Sequence, residues 1–369
     1  MTLPRCFFAT FLLPAILLSI GCGGQGEPQN RDAVTVTDVD SNSLTTVIDT
    51  ESGVLAGPTE IMRIDDGRFA VMDRGRNSVL LMNEEWEETG SFGSTGSGPG
   101  EWDEMRGAGN LIYGNGRFVV SNRAMFRFDF YDLQGNFMAS VPYAQYMNYQ
   151  SKAMLPDGRL LVATEGQEDA LAVILGRDEE ANIVSVFGEP EPLIMERVNI
   201  EAERTALASE ELTPRLKNQA IVQAFGEGYL LMMNGLGELR YYSQDGDLVW
   251  TRPLPETVTS PIFDLVVRIN EESRPHTMYP LEYAFDMKTA NGLVYVLTAT
   301  HTEAEEIRQR LLVYDESGSM VHHYRFNHSA QEMILHQMAP IPDGTVYFTD
   351  PLNAEIVQFS PDDIAGENK

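Results

Sequence analysis

One strand pattern recurs six times along the chain, and this repeat constrains the fold more than any other feature of the sequence. Each repeat is centred on a glycine that follows Asp, Asn or Glu, and the six glycines are Gly67, Gly116, Gly158, Gly228, Gly292 and Gly344. The second and fourth residues after every glycine are apolar, which is typical of a strand buried in a sheet. Asn-Gly and Asp-Gly pairs are strong hairpin signals. The pattern therefore predicts six hairpins of similar construction.

Further strand-like segments follow these hairpins, such as Leu239–Tyr242 and Leu248–Arg252. Four short antiparallel strands per unit, repeated six times, indicate an all-β fold, the six-bladed β-propeller. The sixth unit stops at Phe359 after its third strand. We therefore expect an N-terminal strand, from Ala33–Val39 or Leu44–Asp49, to complete the last blade and close the ring, because an open edge would promote aggregation.

Three segments carry a resemblance to a known family. Phe92–Trp102, with its spaced glycines and its final aromatic residue, resembles the linker between the blades of NHL-repeat proteins. Asp73–Val79 and Asp350–Ile356 resemble the turn from the second to the third strand in that family. Over residues 33–361 the chain is therefore similar to NHL-repeat-like six-bladed β-propellers, and in particular to bacterial lipoproteins of that fold. The resemblance implies the fold and an envelope location, and it implies no activity.

The N-terminal segment predicts export. Residues 1–21 contain one arginine, an apolar run and small residues before Cys22, which resembles a bacterial lipoprotein signal peptide. Ser19 lies where the commonest form has leucine, so ordinary secretion with a nearby cleavage site is the alternative. Residues 22–32 are rich in glycine and polar residues and predict a flexible tether. We expect a lipid on Cys22 to anchor the protein in the bacterial cell envelope, at the outer membrane or facing the periplasm.

The chain is strongly acidic, with 55 Asp and Glu against 26 Lys and Arg and a formal net charge of −29. Nucleic-acid phosphates require a basic surface, so this composition excludes a nucleic-acid-binding protein. The only cysteines are Cys6 and Cys22, which leaves no disulfide framework. The sequence also lacks a cysteine pair for zinc, a His-Glu-x-x-His motif and a Gly-x-Ser-x-Gly elbow, so no catalytic residue is assigned.

Two insertions interrupt the repeat, at residues 189–217 and 255–280. The first is rich in Ala and Glu over Glu201–Glu211, which predicts a short helix, and a second helix is expected around Pro214–Gln219. The second insertion contains four prolines. Long insertions on one face of a scaffold are often lids or binding loops, although a solvated excursion without a role is an equal alternative. Residues 362–369 form a polar tail.

The sixth residue after each repeat glycine is polar, and these residues are Asp73, Asn122, Thr164, Asn234, Thr298 and Asp350. In a propeller they end the second strand of each blade and face the loops around the central channel. One interpretation is that each caps its own turn by bonding to backbone amides. The other is that, together with Glu165, they form a ligand or metal site at the channel mouth. Carboxylate and amide oxygens suit Ca²⁺, the one cofactor that this set indicates.

Three arginines adjoin these polar residues, Arg74, Arg76 and Arg123, and are candidate contacts for an anionic or sugar ligand. The sequence favours a non-catalytic binding or protein-interaction scaffold that acts through the propeller face, with an envelope protein, a peptide or a glycan as its partner. One alternative is a Ca²⁺-dependent hydrolase, lactonase or lyase with a metal at the channel mouth. Another is a structural subunit of an envelope complex.

Overall fold

Six blades of four antiparallel strands each make up the described part of the chain as a β-propeller, and one blade carries a fifth, parallel strand. The structure is a computed structural model that describes residues 34–102, 108–148, 150–177, 180–192, 199–274, 276–301 and 307–361. The predicted signal peptide, the tether with Cys22 and the polar tail lie outside these residues. The prediction of an all-β, six-bladed propeller is confirmed.

The first two blades and the N-terminal strands occupy the first part of the chain. The first twelve strands are β1 (Val36–Val39), β2 (Leu44–Ile48), β3 (Pro58–Arg63), β4 (Phe69–Asp73), β5 (Ser78–Met82), β6 (Glu88–Phe92), β7 (Ser94–Thr95), β8 (Glu101–Trp102), β9 (Ala108–Gly114), β10 (Arg117–Asn122), β11 (Arg127–Tyr131) and β12 (Phe137–Pro142). Blade one is β3–β6 and blade two is β9–β12. β7 and β8 form a short parallel pair between these blades.

The remaining four blades follow in the same order. Their strands are β13 (Lys152–Met154), β14 (Leu160–Ala163), β15 (Ala172–Leu175), β16 (Ile183–Phe187), β17 (Ala220–Phe225), β18 (Gly228–Met233), β19 (Glu238–Tyr242), β20 (Leu248–Pro253), β21 (Ala284–Ala290), β22 (Leu293–Thr298), β23 (Arg310–Tyr314), β24 (Met320–Phe326), β25 (Met338–Pro340), β26 (Val346–Asp350) and β27 (Glu355–Phe359). The innermost strands of the six blades are β3, β9, β13, β17, β21 and β25.

The second strand of each blade follows the repeat glycine and is enclosed on both faces. Every residue of β4 and of β18 is buried. Each such strand contacts the neighbouring blade on either side, so apolar residues occupy consecutive positions and do not alternate with polar ones. The resulting core consists of apolar layers between blades, and its packing accounts for the runs that the sequence pattern detected.

In the linker between blades one and two, the indole ring of Trp102 packs closely against the backbone of Gly93. Trp102 is 1% exposed and lies against Gly93, where an added Cβ would come within 2.1 Å of the ring. Gly93 also has a φ of +83°, in the left-handed region that favours glycine. These two constraints explain the glycine and the aromatic residue in the segment that resembles an NHL linker.

An N-terminal strand closes the ring, as predicted. β2 pairs antiparallel with β27, with Leu44 opposite Phe359, and thereby supplies the fourth strand of blade six. β1 pairs parallel with β24 and gives blade five a fifth strand, which the sequence pattern did not predict. Arg325 holds this extra strand through two hydrogen bonds to Asp38, of 2.5 and 2.7 Å.

The described parts of the two insertions contain three α-helices, which are α1 (Ile200–Ala208), α2 (Pro214–Lys217) and α3 (Glu256–Glu272). The side chain of Asn199 caps α1 by accepting from the Ala202 amide, and Thr213 caps α2 in the same way. The two short helices match the prediction, whereas α3 was not predicted. No helix within the described residues is both long enough and apolar enough to cross a membrane.

The helices of the two insertions contact each other and form one substructure, which we call the helical cap. Arg204 of α1 donates to the carbonyl oxygens of Asn270 and Arg274. Glu203 is buried and accepts from Thr213 Oγ1 at 2.9 Å and from Arg215 Nε at 3.2 Å. The apolar face of α3 packs against blades four and five. The cap is therefore anchored to one side of the ring.

Candidate functional site

The first residues of the innermost strands surround a polar cavity of about 290 Å³ on the propeller axis. All six blades contribute to this central cavity, and its polar lining residues include Glu60, Asn110, Gln150, Lys152, Glu165, Gln223, Asn234, Glu282, Asp286, Lys288, His336 and Gln337. A convergent polar lining of this kind suits a small ligand that makes several hydrogen bonds.

A second cavity of about 200 Å³ lies among later residues of the same strands. Four residues line both cavities, and these are Leu111, Lys152, Gln223 and Lys288. We call this set the waist of the channel. The waist thus carries two ammonium groups, and carboxylates of the central cavity lie beside it.

Glu60 contributes one of these carboxylates. Its Oε2 accepts from the Leu111 amide at 2.6 Å. Burial raises the pKa of Glu60 to about 7, and the nearby charge of Lys288 partly opposes this shift. The carboxyl group therefore changes its charge near neutral pH, far above the range of an exposed glutamate.

Lys152 shows the complementary shift. It is 6% exposed, and its Nζ donates to the Gln150 carbonyl at 2.6 Å and to Asn110 Oδ1 at 3.2 Å. Burial, together with the charge of Arg123, lowers the pKa of Lys152 to about 7. Asp286 and Lys288 form an ion pair, with Lys288 Nζ 3.2 Å from Asp286 Oδ1.

Two more carboxylates, Glu165 and Glu282, line the central cavity. Burial raises the pKa of Glu165, whereas a hydrogen bond from Gln150 and the charge of Arg215 lower it. Burial also raises the pKa of Glu282, and the nearby charge of Glu165 raises it further. These groups are the acid–base candidates of the cavity, because a raised pKa lets a carboxyl group hold a proton closer to neutral pH.

His336 adds a third titratable type. Its ring lies 5.4 Å from the ring of Phe285, and its Nδ1 has no hydrogen-bond partner among the described residues. Burial lowers the pKa of His336, so the neutral imidazole is favoured at neutral pH. A neutral imidazole has one nitrogen that can accept a hydrogen bond from a ligand.

The predicted carboxylates Asp73 and Asp350 are engaged with nearby backbone amides. Asp73 accepts from the amides of Ala56 and Arg76, at 2.7 and 3.0 Å. Asp350 Oδ1 accepts from the Leu352 amide at 3.0 Å. These contacts are those of turn caps, and they leave few carboxylate oxygens for a cation. Neither residue lines the central cavity.

The other repeated polar residues also bond to main chain. Asn122 Nδ2 donates to the Glu101 carbonyl at 2.9 Å, Thr298 Oγ1 accepts from the Arg310 amide at 2.8 Å, and Thr164 donates to the Ala170 carbonyl. Of the predicted set, the structure brings only Asn234 and Glu165 into the central cavity. Among the described residues, no group of three or more His, Cys, Asp or Glu is arranged to hold a metal ion. The oxygens present therefore do not fit a shared Ca²⁺ site.

The three predicted arginines differ in their surroundings. Arg76 donates to the Val54 carbonyl at 2.8 Å and to Glu88 at 3.0 Å, within its own blade. Arg74 lies close enough to Glu60 for its charge to lower the pKa of that carboxyl. The charge of Arg123 likewise lowers the pKa of Lys152. Arg74 and Arg123 therefore act on charged residues of the central cavity without lining it, whereas Arg76 is bonded to Val54 and Glu88.

The charged residues of the inner strands were not predicted as site residues. Lys152 and Asp286 each lie six residues before a repeat glycine, and Glu60 lies seven before. A charged residue at that position of an otherwise apolar repeat was the available signal. Polar positions in a strand more often face solvent, so this signal does not by itself identify the channel lining.

No family model matches the chain, and no curated protein sequence matches it. Its similarity is to solved structures. A protein of Bacteroides fragilis NCTC 9343 that is described as exported has 12% identity and a TM-score of 0.54, over 88% of this chain and 99% of the other. A catalytically inactive virginiamycin B lyase from Staphylococcus aureus with quinupristin has 9% identity and a TM-score of 0.50, over 85% and 98%. At such identities the similarity shows the fold alone.

Proposed function

We propose that this propeller is a non-catalytic binding protein that takes a small polar ligand into its central cavity. The observation that supports this is the burial of ionisable side chains around the cavity, above all Glu60 and Lys152, with the pKa of each moved to about 7. Burying such groups costs folding free energy, and apolar residues of similar size would fill the same space at no such cost. Groups retained at this cost are those that a ligand would use.

The binding experiment is a thermal-shift screen of the purified propeller with amino acids, sugars, sugar acids and dipeptides. A ligand that binds only the folded state raises the melting temperature. We expect the shift to disappear in Lys152→Met and to persist in Lys217→Met, whose lysine lies on α2 outside the cavity lining. Equal shifts in both variants would argue that the ligand binds elsewhere.

The same proposal includes an envelope location, with a lipid on Cys22 as the anchor. The signal-like residues 1–21, the glycine-rich tether and the likeness to NHL-type lipoproteins support it. The exported protein of Bacteroides fragilis shares the fold and is consistent with this location. Cys22→Ala should release the protein into the soluble fraction of the producing cells. Continued membrane association of that variant would contradict the lipid anchor.

A hydrolase or lyase is the second candidate, because Glu165 and Glu282 line one cavity with raised pKa values. In such an enzyme one carboxylic acid would donate a proton and one carboxylate would accept one. Turnover of lactone or ester probes that is lost in both Glu165→Gln and Glu282→Gln would favour this candidate. A stoichiometric partner recovered from membranes would instead favour a structural subunit of an envelope complex.

A further inference from the structure

An apolar cavity of about 200 Å³ lies between α3 and the first part of blade five. Its helical wall consists of Ile262, Leu265, Val266 and Ile269, which recur at the spacing of one helix face. Phe285 and Ala299 belong to its lining from blade five. We call this cavity the apolar slot. Its walls contrast with the central cavity, whose lining is mostly polar.

The slot and the central cavity are adjacent, because Glu282 and Phe285 line both. Glu282 accepts no hydrogen bond from any residue that the structure describes, and the electrostatic neighbour that acts on it is Glu165. Arg215 offsets part of the charge of Glu165. Within the described part of the chain, the carboxyl group of Glu282 thus has no hydrogen-bond partner at the junction between a polar and an apolar cavity.

Two buried asparagines fix the walls of this junction. Asn270 is 2% exposed and joins α3 to the segment that follows, since its Oδ1 accepts from the Tyr279 amide at 2.9 Å and its Nδ2 donates to the Tyr279 carbonyl at 3.0 Å. Asn234 bonds to the backbone of Tyr283 and Ala284, on the chain between Glu282 and Phe285. The junction is therefore formed before a ligand arrives, which lowers the entropic cost of binding.

We propose that the ligand of the central cavity is a small amphipathic cation, with its ammonium group on Glu282 and its apolar group in the slot. This inference rests on the proposed binding function and specifies the chemical class of the ligand. An apolar cavity of about 150 Å³ accommodates benzene, so the slot takes one aromatic ring or a short alkyl chain. The net charge of −29 favours the approach of cations over anions.

The test is calorimetric titration of the purified propeller with four probes that differ in one feature each. Phenethylamine has the ring and the charge, phenethyl alcohol lacks the charge, ethanolamine lacks the ring, and phenylacetate has the opposite charge. We expect phenethylamine to bind most tightly and phenylacetate not to bind. This comparison uses the unaltered protein, so it does not depend on the folding of any variant.

Variants then assign the two halves of the site. Glu282→Gln should lower the affinity for phenethylamine by about tenfold or more and leave the affinity for phenethyl alcohol unchanged, because only the amine makes a charge-assisted hydrogen bond. Ala299→Leu, or Val266→Phe if the first variant does not fold, should fill the slot, weaken the binding of phenethylamine and of phenethyl alcohol, and leave the binding of ethanolamine unchanged. Glu256→Gln, which alters an exposed acid in the first turn of α3, is the matched control and should change nothing.

Equal affinities for phenethylamine and ethanolamine, or unchanged affinities in the slot-filling variant, would overturn the inference. So would the absence of phenethylamine binding. None of these results would refute binding in the central cavity, because the ligand screen with Lys152→Met tests that proposal separately.

Discussion

Asn234 clamps the backbone of Ala284 at both of its polar groups: Nδ2 donates to the Ala284 carbonyl at 3.0 Å, and Oδ1 accepts from the Ala284 amide at 2.8 Å. Asn234 follows the second strand of blade four, and Ala284 begins the inner strand of blade five. A residue of the strand repeat thus joins two blades and fixes the backbone beside the central cavity. Both residues are buried.

We predict that Asn234→Ala lowers the free energy of unfolding by about 2 to 4 kcal/mol, because it leaves buried backbone groups of Tyr283 and Ala284 without partners. Chemical denaturation of the purified propeller measures this loss. Asn42→Ala, at an exposed position, is the control and should stay within about 0.5 kcal/mol of the parent. A similar small change for Asn234→Ala would show that the clamp does not contribute to stability.

From the environment of Glu60 we predict that the free energy of unfolding falls as the pH rises through the acidic range. Its folded-state pKa is raised from 4.5 to about 7, so the folded protein holds a proton there that the unfolded chain has lost. The stabilisation from this proton is complete below about pH 4.5 and is lost as the pH rises to about 7. We expect Glu60→Gln to remove roughly 2 to 3 kcal/mol of this pH dependence, measured by denaturation at several pH values. An unchanged pH profile would contradict the burial of this carboxyl.

For Lys152 we predict the opposite effect, a free energy of unfolding that increases with pH, in a more alkaline range. Its pKa is lowered from 10.5 to about 7, so the stabilisation it contributes is complete above about pH 10.5 and is lost as the pH falls to about 7. Lys152→Met should remove the pH dependence of the free energy of unfolding in that alkaline range. The pH dependence that Glu60 causes in the acidic range should remain. Chemical denaturation of the parent and the variant at several pH values from pH 7 upward measures the difference in their free energies of unfolding. A parent protein with a flat alkaline profile would refute the lowered pKa.

The closing strand predicts a large effect of a short deletion. Removing residues 34–52 deletes β2, opens the edge of β27 and exposes the core around Ile48, which is 5% exposed in the complete ring. We expect the melting temperature to fall on the order of 10 °C and the protein to aggregate. Removing residues 34–43 deletes only β1 and should have a smaller effect. Equal effects of both deletions would indicate that ring closure by β2 is not the dominant contribution.

We predict that Ca²⁺ does not stabilise the propeller, because Asp73 and Asp350 already accept hydrogen bonds from nearby amides. Melting of the dialysed protein with millimolar Ca²⁺ and with a chelator should give the same temperature. Asp73→Asn should lower that temperature equally in both conditions. A Ca²⁺-dependent rise that Asp73→Asn abolishes would restore the metal site predicted from the sequence.

The blade count and the closing strand were accessible from the sequence because hairpin signals are local. A turn residue, a glycine and a short run of apolar residues identify each second strand without knowledge of its partners. Local signals do not distinguish which of two N-terminal segments closes the ring, because pairing between β2 and β27 joins distant parts of the chain. β1 was missed for the same reason: parallel pairing with β24 has no local turn to announce it.

The helix α3 and the channel charges were missed for other reasons. Residues 255–280 contain four prolines, and one of them, Pro261, lies inside α3, where proline is disfavoured because it cannot donate the backbone hydrogen bond. Asp73 and Asp350 stood out as a repeat, yet turn capping explains their contacts. Glu60, Lys152 and Glu282 carry the unusual environments, and only the three-dimensional arrangement brings them to one cavity.

Ring closure also dictates an order of events during folding. Thr46 of β2 donates to Glu355 of β27, although the two residues are 309 positions apart in the chain. Hairpins within a blade form early, since little chain entropy is lost in closing short loops, whereas this pairing waits for the last strands. The N-terminal strands therefore remain unpaired until nearly the whole chain is present. During that interval the unpaired backbone groups belong to β1 and β2, which wait for β24 and β27.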